Sequence, residues 1–217
     1  MLRLLRNEAL ATARCALYRF EQHTTRGVQH HESVMSTLIV HGLFGRPEMF
    51  YPMANYLQRH GLGPMSFVTY PSTTTTIDEI IQHIQLSLGQ NPKKEWNIIG
   101  HSLGAVATRA ALKQHVIVQP VRRFVALGAP FLGTQWYRFA PQSLRASFNP
   151  ESEWCRRINA LPEPSTLRIV RALHDQNVRP SKNASLPGVP ETVLDHIGHN
   201  GLINHPDVFR AVLGHLL

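Results

Sequence analysis

Residues able to do covalent chemistry concentrate at a few points in the chain. The sharpest is Gly100-His101-Ser102-Leu103-Gly104, a G-x-S-x-G. A serine hydroxyl is a weak nucleophile until a base removes its proton and an acid orients that base. The pattern alone is common; its setting carries the weight. It follows an apolar run, Trp96 to Ile99, and opens an alanine-rich helical segment, Leu103 to Gln114. A serine in a sharp strand–turn–helix junction is held on strained backbone above the edge of a sheet. Glycines at 100 and 104 leave room where a Cβ would strike neighbouring backbone. The helix N-terminus favours a developing anion. The plainer alternative is a glycine turn with an ordinary N-cap serine.

A nucleophile of this kind needs its partners in the chain order serine, acid, histidine. Asp175 directly follows an apolar run, Leu167 to Leu173, and His174, which places it at a strand's C-terminal edge. His174, His196, His199, His205 and His215 are the candidate bases. His199 lies between Gly198 and Gly201, in a loop before the last helix, where an imidazole can reach over the sheet edge. His196, with Asp195 beside it, is the alternative. Adjacent side chains rarely point the same way, so an Asp195–His196 pair is not expected. The assignment is therefore Ser102 as nucleophile, Asp175 as acid and His199 as base. His41-Gly42-Leu43-Phe44-Gly45 follows the first strand. There Gly42 lets the backbone turn an N–H toward the site. The Leu43 and Leu103 N–H groups are the expected oxyanion donors, and losing one such donor costs about 3–4 kcal/mol. His196, His199 and His205 do not share a helix face, because Gly198, Gly201 and Pro206 interrupt it, and no Cys or acidic cluster joins them. No metal or other cofactor is expected.

The surrounding elements must deliver these groups to one place. Thr37–Val40, Ser66–Tyr70, Trp96–Ile99, Phe124–Leu127, Leu167–Leu173 and Thr192–Leu194 read as strands. Met49–His60, Ile77–Leu88, Leu103–Gln114 and Pro206–Leu216 read as helices, the second capped by Thr75 or Thr76. Alternation at this pace implies an α/β fold, about six mostly parallel strands with helices on both faces. Residues 131–165, rich in Pro, Ser and aromatics, break the alternation. Excursions at strand C-terminal ends border the ligand crevice of such a sheet.

The chain has 217 residues and a net charge of +8. Hydrophobic residues at 43% against 17% charged exclude a disordered chain. Cys15 and Cys155 fit neither a disulfide framework nor a metal motif, which suits a reducing compartment. Arg3, Arg6, Arg14 and Arg19 interrupt every apolar run near the N-terminus, so no secretory signal is read and a cytoplasmic location is expected. Leu2, Leu5, Ala9, Ala13 and Ala16 recur at helical spacing there, which predicts a basic helix. The arginines elsewhere are scattered, with no nucleic-acid motif, so no nucleic-acid partner is expected. Residues 1–35 carry only +2 of the +8 charge. The basic surface lies mainly on the rest of the chain and suits peripheral contact with an anionic membrane.

Together these segments resemble the α/β-hydrolase superfamily, and within it the small lipases and esterases. Val40-His41-Gly42-Leu43-Phe44-Gly45 is similar to its oxyanion loop and Gly100-His101-Ser102-Leu103-Gly104-Ala105 to its nucleophile elbow. Gly128-Ala129-Pro130-Phe131-Leu132-Gly133-Thr134 is similar to its G-[AT]-P-x-x-G-[ST] segment. Asp175-x-x-Val178-x-Pro180 and Gly198-His199-x-Gly201-Leu202 resemble its acid and histidine loops. The resemblance covers residues 36–217, an α/β-hydrolase domain with a small cap at 131–165, and leaves 1–35 as a basic helical extension. It implies a serine hydrolase of carboxylic esters; we expect a monomer acting on an ester or lipid substrate without a cofactor. The same site in related families serves acyl transfer, thioester hydrolysis or lipid deacylation. A non-enzymatic scaffold is disfavoured by the full set of motifs. The cap aromatics are candidates to line an acyl pocket.

Overall fold

The computed structural model describes residues 1–18, 35–91 and 94–217. Helix α1 is Leu2–Tyr18 and strand β1 is Met35–Val40. A short 3-10 turn, Pro47–Phe50, leads into α2, Tyr51–Arg59. Then follow β2, Met65–Val68; α3, Ile77–Gly89; β3, Glu95–His101; α4, Leu103–Lys113; and β4, Val121–Leu127. After 3-10 turns at Gln135–Phe139 and Gln142–Leu144 come α5, Arg145–Phe148, and α6, Glu153–Ala160. The chain ends with β5, Leu167–Ala172; β6, Glu191–Leu194; and α7, Pro206–Leu216.

The six strands form one sheet in the order β2-β1-β3-β4-β5-β6, every neighbouring pair parallel. Side chains alternate faces along each strand. Leu38, Ile98, Phe124, Ala126 and Ile169 pack toward α3 and α4, whose Ile80, Ile84, Leu88 and Ala107 join the same cluster. Ile39, Ile99, Val125, Leu127 and Val170 face the other way, onto Met53 and Leu57 of α2 and Val208, Val212 and Leu216 of α7. Burial on both faces explains why these strands read as continuous apolar runs.

The elements start where local chemistry dictates. Of the two threonines considered, Thr76 caps α3: its N–H donates to Glu79 Oε2 at 2.7 Å and its hydroxyl accepts the Glu79 N–H at 3.3 Å. The helix expected from Met49 begins as 3-10 turn and becomes α-helix at Tyr51, with Pro52 in the first turn, where its missing N–H costs nothing. Strand β2 ends at Val68, short of the expected Tyr70. Tyr70 instead turns inward and donates its hydroxyl to the His41 carbonyl.

The N-terminal helix docks differently from its apolar spacing. Leu5 is 59% exposed, and Ala9 and Ala13 face solvent. The side turned inward carries Asn7, Glu8 and the buried Ala11, because it lies against the backbone of the 198–204 loop. Exposed loop backbone demands hydrogen-bonding partners rather than hydrocarbon. β1 begins at Met35, next to the boundary expected at 35/36, and the rest of the extension, 19–34, lies outside the described residues.

The strand order reverses between β1 and β3, so the loops leaving their C-terminal ends diverge and open a crevice. That crevice receives the His41–Gly45 loop from β1 and Ser102 from β3.

Candidate active site

Ser102 joins β3 to α4 with φ 50° and ψ −117°, a backbone region sparsely populated by any side-chain-bearing residue. Such strain persists only where the surroundings fix it. The Ser102 N–H donates to the Leu127 carbonyl at 2.9 Å, and its own carbonyl accepts the Ala105 and Val106 N–H groups. A Cβ at Gly100 would stand 2.7 Å from Ala105 Cα, and one at Gly104 would run into the Val40 and His41 carbonyls. The crossing of helix and strand therefore requires both glycines, as the spacing implied.

Asp175 follows β5 and is 1% exposed. Its Oδ1 accepts the N–H groups of Asn177 and Val178, each at 2.8 Å, which fixes the carboxylate plane. Its Oδ2 lies 2.8 Å from His199 Nδ1. His199 is 3% exposed and follows β6. With Nδ1 turned to the carboxylate, Nε2 is the ring nitrogen that Asp175 does not engage. Burial opposes the charged imidazolium, but the charge and hydrogen bond of Asp175, with the charge of Glu8, outweigh it and raise the His199 pKa above the ordinary value. His101 packs against His199 at 4.7 Å between ring centroids. Its own pKa is pushed well down, by burial first and by the neighbouring His199 second.

Ser102 and His199 open onto one cavity of about 690 Å³, together with Gly42, Leu43, Phe44, Phe50, Thr134, Trp136, Phe139, Phe148 and Asn200. Among the described residues, neither the Leu43 nor the Leu103 N–H donates to another protein group. The loop bearing Leu43 is tightly held. Gly45 N–H closes it onto the Gly42 carbonyl at 3.0 Å, and Phe44, at φ 58°, donates its N–H to Ser72 Oγ at 2.9 Å. The His41 ring stacks on Tyr70 at 4.1 Å, and burial lowers its pKa.

The segment 131–165 forms one wall of the cavity, but its aromatics divide. Phe131 and Phe148 are buried, while Trp136 and Phe139 stand exposed at the mouth. Thr134 ties this wall to the acid loop: its hydroxyl donates to the Asn177 carbonyl at 2.9 Å and accepts the Arg179 N–H at 3.1 Å.

The other histidines lie elsewhere. His174 is exposed, His215 meets Thr192, and His205 caps α7 through Asp207 N–H. Two expectations need correction. Asp195 and His196 do pair, at 2.9 Å, because the bend after β6 turns both outward, away from the cavity. An acid also joins His196 and His205: Asp207, from the first turn of α7, lies 2.7 Å from His196 Nε2, and the three groups converge at the surface. His199 is not part of that cluster.

Sequence reasoning missed Gln176, whose side-chain carbonyl accepts the His199 N–H at 3.1 Å, and Glu8 behind it. A glutamine beside an acid carries no signature by itself.

A parallel sheet with helices on both faces, a serine on a strained strand-to-helix turn, and a buried His–Asp pair whose histidine lines the same cavity define a hydrolase-fold protein. A family model described as alpha/beta hydrolase fold matches residues 38–176. The chain belongs to that family. Among solved structures, the mature form of the lipase BlEst2 from Bacillus licheniformis superposes with a TM-score of 0.67 at 18% identity, over 86% of this chain and 95% of that one. The phospholipase PlaB from Legionella pneumophila gives 0.70 at 13% identity, over 85% of this chain and 59% of that one. A lipase-esterase related protein from Clostridium acetobutylicum gives 0.57 at 12% identity, over 87% and 96%. At such identities the likeness is one of fold. No curated protein sequence matches the chain.

Proposed function

We propose that this protein is a serine hydrolase of carboxylic esters, an esterase or lipase. The observation that carries the reading is the Asp175–His199 pair, buried and 2.8 Å apart, opening onto the cavity that holds Ser102 on its strained turn. Ser102 Oγ attacks the ester carbonyl while His199 Nε2 takes its proton. The Leu43 and Leu103 N–H groups receive the charge on the carbonyl oxygen, which develops only along the reaction. Collapse breaks the bond to the alkoxy oxygen, and His199 returns the proton to the departing alcohol. Water then attacks the acyl-serine by the same route and releases the acid. The cavity's Phe44, Phe50, Phe139 and Phe148 suit the acyl chain.

The reading extends to the setting of the substrate. Phe44, Trp136 and Phe139 are 57%, 49% and 79% exposed at the cavity mouth, with Arg138 exposed among them. With the basic surface, this rim suits an anionic lipid interface as the partner.

Ser102→Ala tests the central claim. The variant should lose fluorophosphonate labelling and at least about 10³-fold of p-nitrophenyl butyrate hydrolysis, with its unfolding temperature unchanged. Wild-type protein that neither labels nor hydrolyses, or a variant that keeps activity, overturns the reading.

A further inference from the structure

Glu8 lies on α1, outside the stretch matched by the family model, yet its carboxylate sits against the loop that carries His199. Oε1 accepts the Asn200 N–H at 2.8 Å, and Oε2 accepts the Gly201 N–H at 3.2 Å. The Gln176 side-chain amide also donates to Oε1, while Gln176 Oε1 accepts the His199 N–H. Two side chains thus hold the backbone amides of residues 199, 200 and 201. Gln176 follows Asp175 directly, so the same clamp spans the acid loop and the histidine loop. Gly198 completes it, because a Cβ there would land on the Glu8 carboxylate.

The rest of the helix has the same target. Asn7 Nδ2 donates to the His196 carbonyl at 2.8 Å, Asn204 Nδ2 to the Ala11 carbonyl at 3.1 Å, and Asn200 Nδ2 to Thr12 Oγ1 at 3.1 Å. Every described hydrogen bond between α1 side chains and the rest of the chain ends on residues 176 or 196–204. Of the leucines whose side chains are described, Leu4 is half-buried while Leu5 and Leu10 are 59% and 48% exposed. A helix docked for stability alone would bury its apolar face.

We propose that Glu8 is a positioning residue for His199, acting through the clamp it forms with Gln176. The proposal rests on the reading of His199 as the general base. Without the clamp, the loop holding the imidazole loses the hydrogen bonds that fix its backbone at residues 199–201, and displacements of about 1 Å can cost about 10²-fold in rate. Glu8 also adds negative charge near His199. The charged and titratable groups facing that ring are Asp175 from the β5 loop, His101 from β3 and Glu8 from α1, with His41 behind His101. Removing the Glu8 charge therefore lowers the His199 pKa.

The test uses full-length protein and p-nitrophenyl butyrate, comparing wild type with Glu8→Ala and the near-isosteric Glu8→Gln. Glu8→Ala should lower kcat by about 10- to 100-fold with KM changed less than about 2-fold. In Glu8→Gln the acidic limb of kcat/KM should move to lower pH, and NMR titration of the His199 ring should move with it. If kcat stays within about 2-fold and neither titration moves, the proposal fails. It fails equally if kcat falls only as the folded fraction falls. Should Glu8→Ala not fold, Glu8→Gln decides. Wild type that neither hydrolyses nor labels refutes the esterase reading instead, and the NMR titration then still judges Glu8.

Discussion

Glu163, where the cap returns toward β5, offers a stability test whose size follows from its surroundings. Its carboxylate accepts Arg109 Nε at 2.7 Å, Arg109 Nη2 and Lys113 Nζ at 2.7 Å. Both cations lie on α4, the helix that begins beside Ser102, and are 2% and 4% exposed. Arg109 also donates to Asn159 Oδ1 at 2.8 Å and lies over the Phe131 ring at 4.8 Å. Burial works against the Glu163 charge, but the bonds from Arg109 and Lys113 prevail and hold its pKa below the ordinary value. Burial pulls the Lys113 pKa down in spite of that partner. Glu163→Gln leaves two cations buried together. Breaking a buried pair by removing one partner costs about 3–5 kcal/mol. The Glu163 side chain is 25% exposed, so the low end, about 3 kcal/mol, applies. At about 2–4 °C per kcal/mol for a chain of this size, the variant should unfold about 6–12 °C lower by calorimetry at pH 7. A carboxylate with a depressed folded pKa stabilises above its unfolded pKa of about 4.3 and loses that contribution as pH falls through the folded value. The gap should hold from pH 7 to about 4.5 and shrink below. A drop under about 2 °C, or a gap unaffected by acid, refutes the account.

Two further outcomes follow from the site. The raised His199 pKa places the acidic limb of kcat/KM above the ordinary imidazole value of about 6.5, activity falling as the base is protonated; Asp175→Asn should move that limb down. The same shift means that His199 contributes stability below about pH 6.5 and loses it as pH rises through the folded value, which chemical denaturation across that range will show. The proposed lipid interface predicts co-sedimentation with vesicles containing phosphatidylserine, weakened by 'high salt' and by Phe139→Ser; binding indifferent to both counts against it.

Much of this arrangement was legible in the sequence because its parts are local. The strained turn needs a serine between glycines after a strand, and that need fits in five residues. The strands announced themselves through burial on both faces, and the start of α3 through two threonines ahead of Asp78 and Glu79; which threonine caps became plain only from the Glu79 carboxylate reaching back to Thr76. Asp175 and His199 could be placed by strand ends and chain order. What stayed hidden depends on contacts across the chain. The polar dock of α1 could not be read, because its apolar residues obey helical spacing while Asn7 and Glu8 are spent on distant backbone. The Asp195–His196–Asp207–His205 surface cluster was missed for a related reason: helix-face reasoning is blind to a bend that brings a following helix alongside.

The parallel sheet has a consequence for when the site exists. Its residues leave the ends of β1, β3, β5 and β6, so no contiguous fragment of the chain holds a working subset. His199 hangs from β6, a four-residue strand at the sheet's edge with one neighbour, β5. Short edge strands open before cores do, and pairings distant in sequence form slowly. Any activity that needs His199 in place should therefore be lost before the fold melts and return last on refolding.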